Sequence, residues 1–132
     1  MTTTLLFVGK TTDPHIDTLC QEYLRRLTHY LPVRLQVIPE LRNTKALTPD
    51  QQKQAEGELI LRAVPQSADL ILLDEHGKEY RSVEFAQQLQ KKMSSGRDLF
   101  FAIGGPYGFS QAVHERANGK VSLSQMTFSH QM

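Results

Sequence analysis

Asp98–Ser110 reads DLFFAIGGPYGFS. Its apolar run, Leu99–Ile103, is too short for a helix and carries no polar residue to turn toward water, which predicts a strand buried on both faces. Gly104 and Gly105 follow at once, and Pro106, Tyr107 and Gly108 complete the turn. Glycine lets a backbone turn or approach a ligand where a Cβ would clash. Ligands of open parallel α/β sheets sit beyond the carboxyl ends of the strands, so this turn is a candidate ligand site. The same cluster also reads as a tight connection and nothing more.

Strands and helices alternate on either side of this stretch. Thr4–Val8 is a first apolar strand ending at Gly9. Asp13 and Pro14 open a helix, a capping side chain followed by a residue that needs no amide partner. Ile16, Leu19, Cys20, Tyr23, Leu24 and Leu27 fall on one face of it, which assigns Cys20 to core packing rather than to nucleophilic chemistry. Pro32 closes the helix, and Val33–Val37 alternates as a half-exposed strand nearer a sheet edge. Pro39–Leu47, PELRNTKAL, has no periodicity and reads as a mobile loop carrying Arg42 and Lys45. Thr48, Pro49 and Gln51 form a capping-box start for a helix through Ala63, weakened by about 1 kcal/mol at Gly57.

Leu70–Leu73 predicts a second fully buried strand, followed by a glycine turn at Asp74–Lys78 on the functional edge of the sheet. Ser82 is read as the cap of a helix with Phe85, Ala86, Leu89 and Met93 inward. Lys91, Lys92 and Arg97 gather at its carbonyl end, where they suit the helix dipole and could meet RNA. Ser110 starts a short helix through Arg116, and Val121–Phe128 reads as a last extended segment. The fold class is therefore α/β, a mainly parallel sheet flanked by helices, in a single domain of residues 1–132.

Composition narrows the function less. The chain has 132 residues, 39% apolar and 22% charged, with a net charge of +1, which describes an ordinary globular protein and neither requires nor excludes a nucleic acid. One cysteine excludes an internal disulfide, no apolar stretch approaches transmembrane length, and the start lacks a signal-peptide pattern, so the cytoplasm is expected. There is no GxxxxGK[ST] loop, no GxGxxG and no GxSxG. Asp74, Glu75 and His76 are adjacent in a turn, where side chains seldom converge, and no metal is expected there.

Three blocks go further: LLDEHGKEYRS at Leu72–Ser82, FAIGGPYGFS at Phe101–Ser110 and SLSQMTFSHQM at Ser122–Met132. Together with YLRRL at Tyr23–Leu27, Val37–Glu40 and the EGE of Glu56–Glu58, they resemble the ribosomal RNA large-subunit methyltransferase H family. That family belongs to the SPOUT class of trefoil-knotted methyltransferases, and the resemblance spans the whole chain. It implies S-adenosylmethionine as methyl donor and transfer to N3 of a pseudouridine in large-subunit ribosomal RNA, by a homodimer acting on the ribosome. Carried over by position, the donor would lie against Leu73, Gly104 and Gly105 and along Ser122, Leu123, Ser124, Gln125, Met126 and Thr127.

Family members continue beyond the HQM-like block with a helix that is tucked through the knot and a tail rich in Tyr and His. This sequence reaches Met132, where that helix would begin, which leaves the final knot helix outside it. His130 is then the one family-like candidate for a catalytic base, and a structural histidine at a helix start is its alternative. Two other functions follow from the same departure: a cofactor-binding but catalytically silent protein, and a self-associating interaction protein with an exposed apolar seam.

Overall fold

The computed structural model describes residues 1–42 and 44–132; Asn43, part of the expected Pro39–Leu47 loop, lies outside them. Five strands, β1 (Thr3–Val8), β2 (Val33–Ile38), β3 (Asp69–Glu79), β4 (Leu99–Ile103) and β5 (Gly119–Ser122), form one sheet in the order β2-β1-β4-β3-β5. Every pairing is parallel. The connections carry helices α1 (Pro14–Leu27), α2 (Pro49–Ala63), α3 (Ser82–Ser94) and α4 (Gln111–Arg116).

Cross-strand register sorts the side chains into two layers. Leu6, Ala102 and Leu72 lie side by side on β1, β4 and β3 and are wholly buried. With Leu70, Phe100 and Val8 they form the larger core, closed by Ile60 and Val64 after α2 and by Val113 of α4. The next row, Leu5, Phe101 and Ile71, faces the opposite way, against Phe85 and Leu89 of α3. β4 is thus covered on both faces and hydrogen-bonded on both edges, as its unbroken apolar run requires. β2 is the half-exposed edge strand expected of its alternation, with Val37 open to solvent.

Several boundaries differ from the sequence reading. α1 has no buried residue: Leu19 and Tyr23 are more than half exposed, and Cys20 is half-buried rather than part of the core. Its apolar stripe is real, but among the described residues the helix packs mainly beside β2, an edge strand too narrow to cover it. Arg81, not Ser82, is the N-cap of α3, because Glu84 reaches back to accept from the Arg81 N–H at 3.0 Å. Phe85 and Leu89 face inward, whereas Ala86 is exposed. The Pro39–Leu47 segment contains one 3-10 turn at Thr44–Ala46.

The largest difference lies in β3, which runs on through the expected turn to Glu79. Leu73 and Lys78 both pair with Val121, so residues 74–77 bulge out of the ladder. Gly77 is required there, since a Cβ would lie 2.7 Å from the Lys120 carbonyl carbon. β5 ends at Ser122, and residues 123–128 leave the sheet instead of extending it.

Gly57 also has a structural reason. A Cβ there would meet the Ser110 hydroxyl oxygen and come within 3.2 Å of Val113 Cγ2. Ser110 cannot rotate away freely, because its side chain caps α4 by accepting from the Val113 N–H. Gly57→Ala should therefore destabilise the fold by about 1–2 kcal/mol despite its better helix propensity, because overpacking outweighs propensity. Thermal unfolding checks this; an unchanged or raised midpoint would show that the α2–α4 contact yields.

Candidate active site

β1, β4 and β3 are parallel, so their carboxyl ends open on one edge. β4 delivers Gly104 and Gly105 there, and both are buried. Their freedom is used for close packing. A Cβ at Gly104 would lie 3.3 Å from both the Gly108 carbonyl oxygen and the Phe109 ring, and one at Gly105 would collide with the Glu56 carboxyl. Gly108 alone in this turn is left-handed, at φ 81°, a conformation that favours glycine. Its N–H returns to the Gly105 carbonyl at 3.1 Å and closes the turn.

A cavity of about 540 Å³ lies over this edge. Leu73, Gly104, Gly105, Leu123, Ser124, Met126 and Thr127 all line it, so most of the residues singled out in the sequence meet around one space. Ser122 and Gln125 do not line it. Ser122 is buried beneath, its hydroxyl donating to the Ser124 carbonyl at 2.8 Å, and Gln125 faces solvent. His130 borders the cavity and is exposed.

Residues 123–132 form a strap across the strand ends. Midway along it the Thr127 hydroxyl donates to Glu75 Oε2 at 3.0 Å, and Gln131 anchors its far end. There Gln131 Oε1 accepts from the Thr12 N–H, the Thr12 hydroxyl and the Asp13 N–H, while its Nε2 faces the Thr12 hydroxyl oxygen at 2.9 Å. The amide thereby ties the strap to the N-terminus of α1, which Asp13 itself caps.

The bulge of β3 supplies the polar wall. Of Asp74, Glu75 and His76, expected to diverge, two meet in a hydrogen bond: Asp74 Oδ1 accepts from the His76 N–H at 2.9 Å and lies 3.2 Å from its Nδ1. Asp74 Oδ2 lies 3.8 Å from His114 Nε2. His114 stands edge-on to Phe109, and its Nδ1 is buried with no partner among the described residues. Burial first, and Lys120 next, hold its pKa below the ordinary histidine value, so the ring is neutral near neutrality. Beneath the glycine turn, burial pushes the Glu56 carboxyl above its ordinary value, opposed by a hydrogen bond from Gln52. The basic group at the end of α3 lies elsewhere: Lys92 and Arg97 pair with Asp69 at the amino ends of the strands.

Comparison with known proteins assigns the family. The family model described as "Predicted SPOUT methyltransferase" matches residues 1–132. The chain belongs to the SPOUT methyltransferase family. It is 53% identical to proteins named Ribosomal RNA large subunit methyltransferase H from Bacteroides fragilis and Bacteroides thetaiotaomicron, over all of this chain and 85% of each relative. A Flavobacterium johnsoniae protein of the same name is 52% identical over 97% of this chain and 82% of its own length. The parallel α/β sheet is in keeping with the family's fold.

Glu56, His114 and Gln131 were not anticipated as parts of this site. Glu56 lies one turn before Ile60 on the inner face of α2, a position where a charge stands out against the apolar pattern. Gln131 left no comparable signal, because its partners are 118 and 119 residues away.

Two outcomes test this geometry. Gln131→Ala should raise amide exchange in residues 124–132 by about tenfold, the worth of roughly one net hydrogen bond, while exchange in β4 stays unchanged. Unchanged exchange in the strap would show that Gln131 does not hold it. For His114, the folded pKa is depressed, so the unfolded chain binds the proton first as pH falls and stability is lost on acidification through the ordinary histidine range. Wild type should lose more stability than His114→Gln between pH 7.5 and 5.5 in urea unfolding, and equal losses would refute the assignment.

Proposed function

We propose that this chain, as one methyltransferase unit of residues 1–132, uses S-adenosylmethionine to methylate N3 of a pseudouridine in large-subunit ribosomal RNA, in the cytoplasm. The observation that carries the reading is the convergence of Leu73, the Gly104–Gly105 turn and the 123–127 strap on one cavity. Its volume and apolar lining suit an adenosine-bearing ligand, and close backbone on two sides offers donors and acceptors without bulk. The named relatives are ribosomal RNA methyltransferases, which supports RNA as the acceptor. No helix among the described residues is long and apolar enough to cross a membrane.

When bound, the donor supplies an electrophilic methyl on a sulfonium. The chain's part is to hold the donor against the glycine turn and the strap, so that the acceptor nitrogen meets the methyl in line. The N3–H is weakly acidic, and a base or a donor to the developing oxyanion assists its loss. His130, which borders the cavity, is our candidate for the first of these roles.

A second reading rests on α1. Leu19, Tyr23 and Leu27 recur every four residues and are all exposed, as is Tyr30 just beyond. This stripe supports self-association as a homodimer, compatible with the enzyme or with a catalytically silent protein that binds the donor without turnover. Light scattering after size exclusion tests it, and a monomer at high concentration would remove it.

Gly104→Val tests the donor site. Its branched side chain must displace the Phe109 ring and the Gly108 carbonyl, so calorimetric affinity for S-adenosylmethionine should fall by at least about tenfold, while α/β circular dichroism is retained. Unchanged affinity would overturn the assignment of the cavity.

A further inference from the structure

Glu56 is the buried ionisable group for which the reaction above has no use. It leaves α2 toward the glycine turn and is only 5% exposed. Gln52 Nε2 donates to its Oε2 at 3.3 Å. Its Oε1 is sealed from solvent and has no hydrogen-bond partner among the described residues. The carboxyl lies directly against Gly105: a Cβ built there would stand 2.7 Å from Oε1 and 2.8 Å from Oε2. Gly105 itself lines the cavity, so the carboxyl and the cavity both adjoin one residue without a side chain.

A buried carboxylate is costly unless a cation or hydrogen-bond donors compensate it. The titratable groups that act on Glu56 are His130 on the strap, which favours the anion, and Glu40 after β2, which opposes it. Lys53, Asp74, Glu75 and His76 also line the cavity, and Lys53, one turn before Glu56 on α2, pairs with Asp50 at 3.7 Å. Salt bridges formed by the described residues leave Glu56 out. Among the described residues, neither an ion pair nor a second hydrogen bond compensates this carboxyl, and the cavity lies on the far side of Gly105.

We infer that Glu56, acting through the thin wall at Gly105, lets the pocket prefer a cationic sulfonium donor over its neutral thioether product. The inference rests on the donor reading above and deepens it. S-adenosylmethionine and S-adenosylhomocysteine share the nucleoside and the amino-acid groups; they differ by one methyl and one positive charge. In the transfer, the acceptor nitrogen supplies the electron pair of the new N–CH3 bond, and its proton passes to a base or to solvent. The sulfur keeps the pair of the broken S–CH3 bond and becomes neutral. Attraction to Glu56 therefore holds the reactant and lapses for the product. Charge attraction across a low-dielectric wall needs no direct contact. Glu56 is in this sense a positioning residue, not a catalytic one.

Calorimetric titration of the full chain with each of the two compounds, from pH 4.5, the ordinary carboxylate value, up to pH 8, tests the inference. Glu56→Gln keeps the shape and removes the charge. It should weaken S-adenosylmethionine about tenfold and leave S-adenosylhomocysteine within about twofold. In wild type, the preference for the cationic donor should grow as pH rises and Glu56 ionises. That growth should disappear in Glu56→Gln, whereas a dependence due to His130 or Glu40 would survive there. Equal weakening of both compounds, or no change in either, would overturn the inference in favour of a packing role. Should the variant not fold, a wild-type preference that stays flat with pH overturns it equally. Binding of neither compound by folded wild type would instead bring down the donor reading, and this inference with it, before any variant is made.

Discussion

β4 lies between β1 and β3, with both backbone edges hydrogen-bonded and both faces covered. Nothing polar can be accommodated along Leu99–Ile103, so the strand can do only one thing for function, which is to carry the chain to the carboxyl edge. The wholly buried row of Leu6, Ala102 and Leu72 sets the register that brings β1, β4 and β3 to that edge together. Gly9, Gly104–Gly105 and the Asp74 bulge all follow from that alignment. A slip of one residue on any of these strands would turn its apolar set away from the layer it packs in.

Polar groups are distributed around this apolar frame in an uneven way. At the amino edge, Asp69 is matched by Arg97 and Lys92, and the pairing is locally complete. At the carboxyl edge, Glu56 and His114 each keep a buried atom without a partner among the described residues, and burial shifts both toward their neutral forms. Two incompletely satisfied groups on one side of a sheet cost stability that better pairing would recover. Their concentration beside the cavity marks that edge as built for something other than stability.

The strap over the cavity shows how a short segment without regular structure is positioned. Residues 123–128 contribute little buried apolar surface, since Leu123, Met126 and Phe128 are largely exposed. Their course is set instead by polar attachments, Thr127 to Glu75 and Gln131 to Thr12 and Asp13. Such contacts define position with little burial, which leaves the strap easier to open than the sheet beneath it.

Much of this was legible in the chain itself. Apolar runs of four or five residues between helical patterns specify buried parallel strands, because only a strand covered on both faces tolerates them. The capping residues Asp13, Thr48 and Ser110 mark their helix starts correctly, since a side chain bonding its own neighbours is a local event. Seven of the nine positions that the resemblance singled out for the donor lie around one cavity. What stayed hidden depends on distance along the chain. The bulge after Leu73 exists because Val121 faces β3 twice, and the half-burial of Cys20 reflects how little of α1 an edge strand can cover. Glu56 meets Gly105, and Gln131 meets Thr12, across 49 and 119 residues of intervening sequence. Periodicity and capping are written in neighbouring residues and so belong to the sequence alone. Which buried group is left without a partner is settled only when distant segments meet, and that was decided by the tertiary structure.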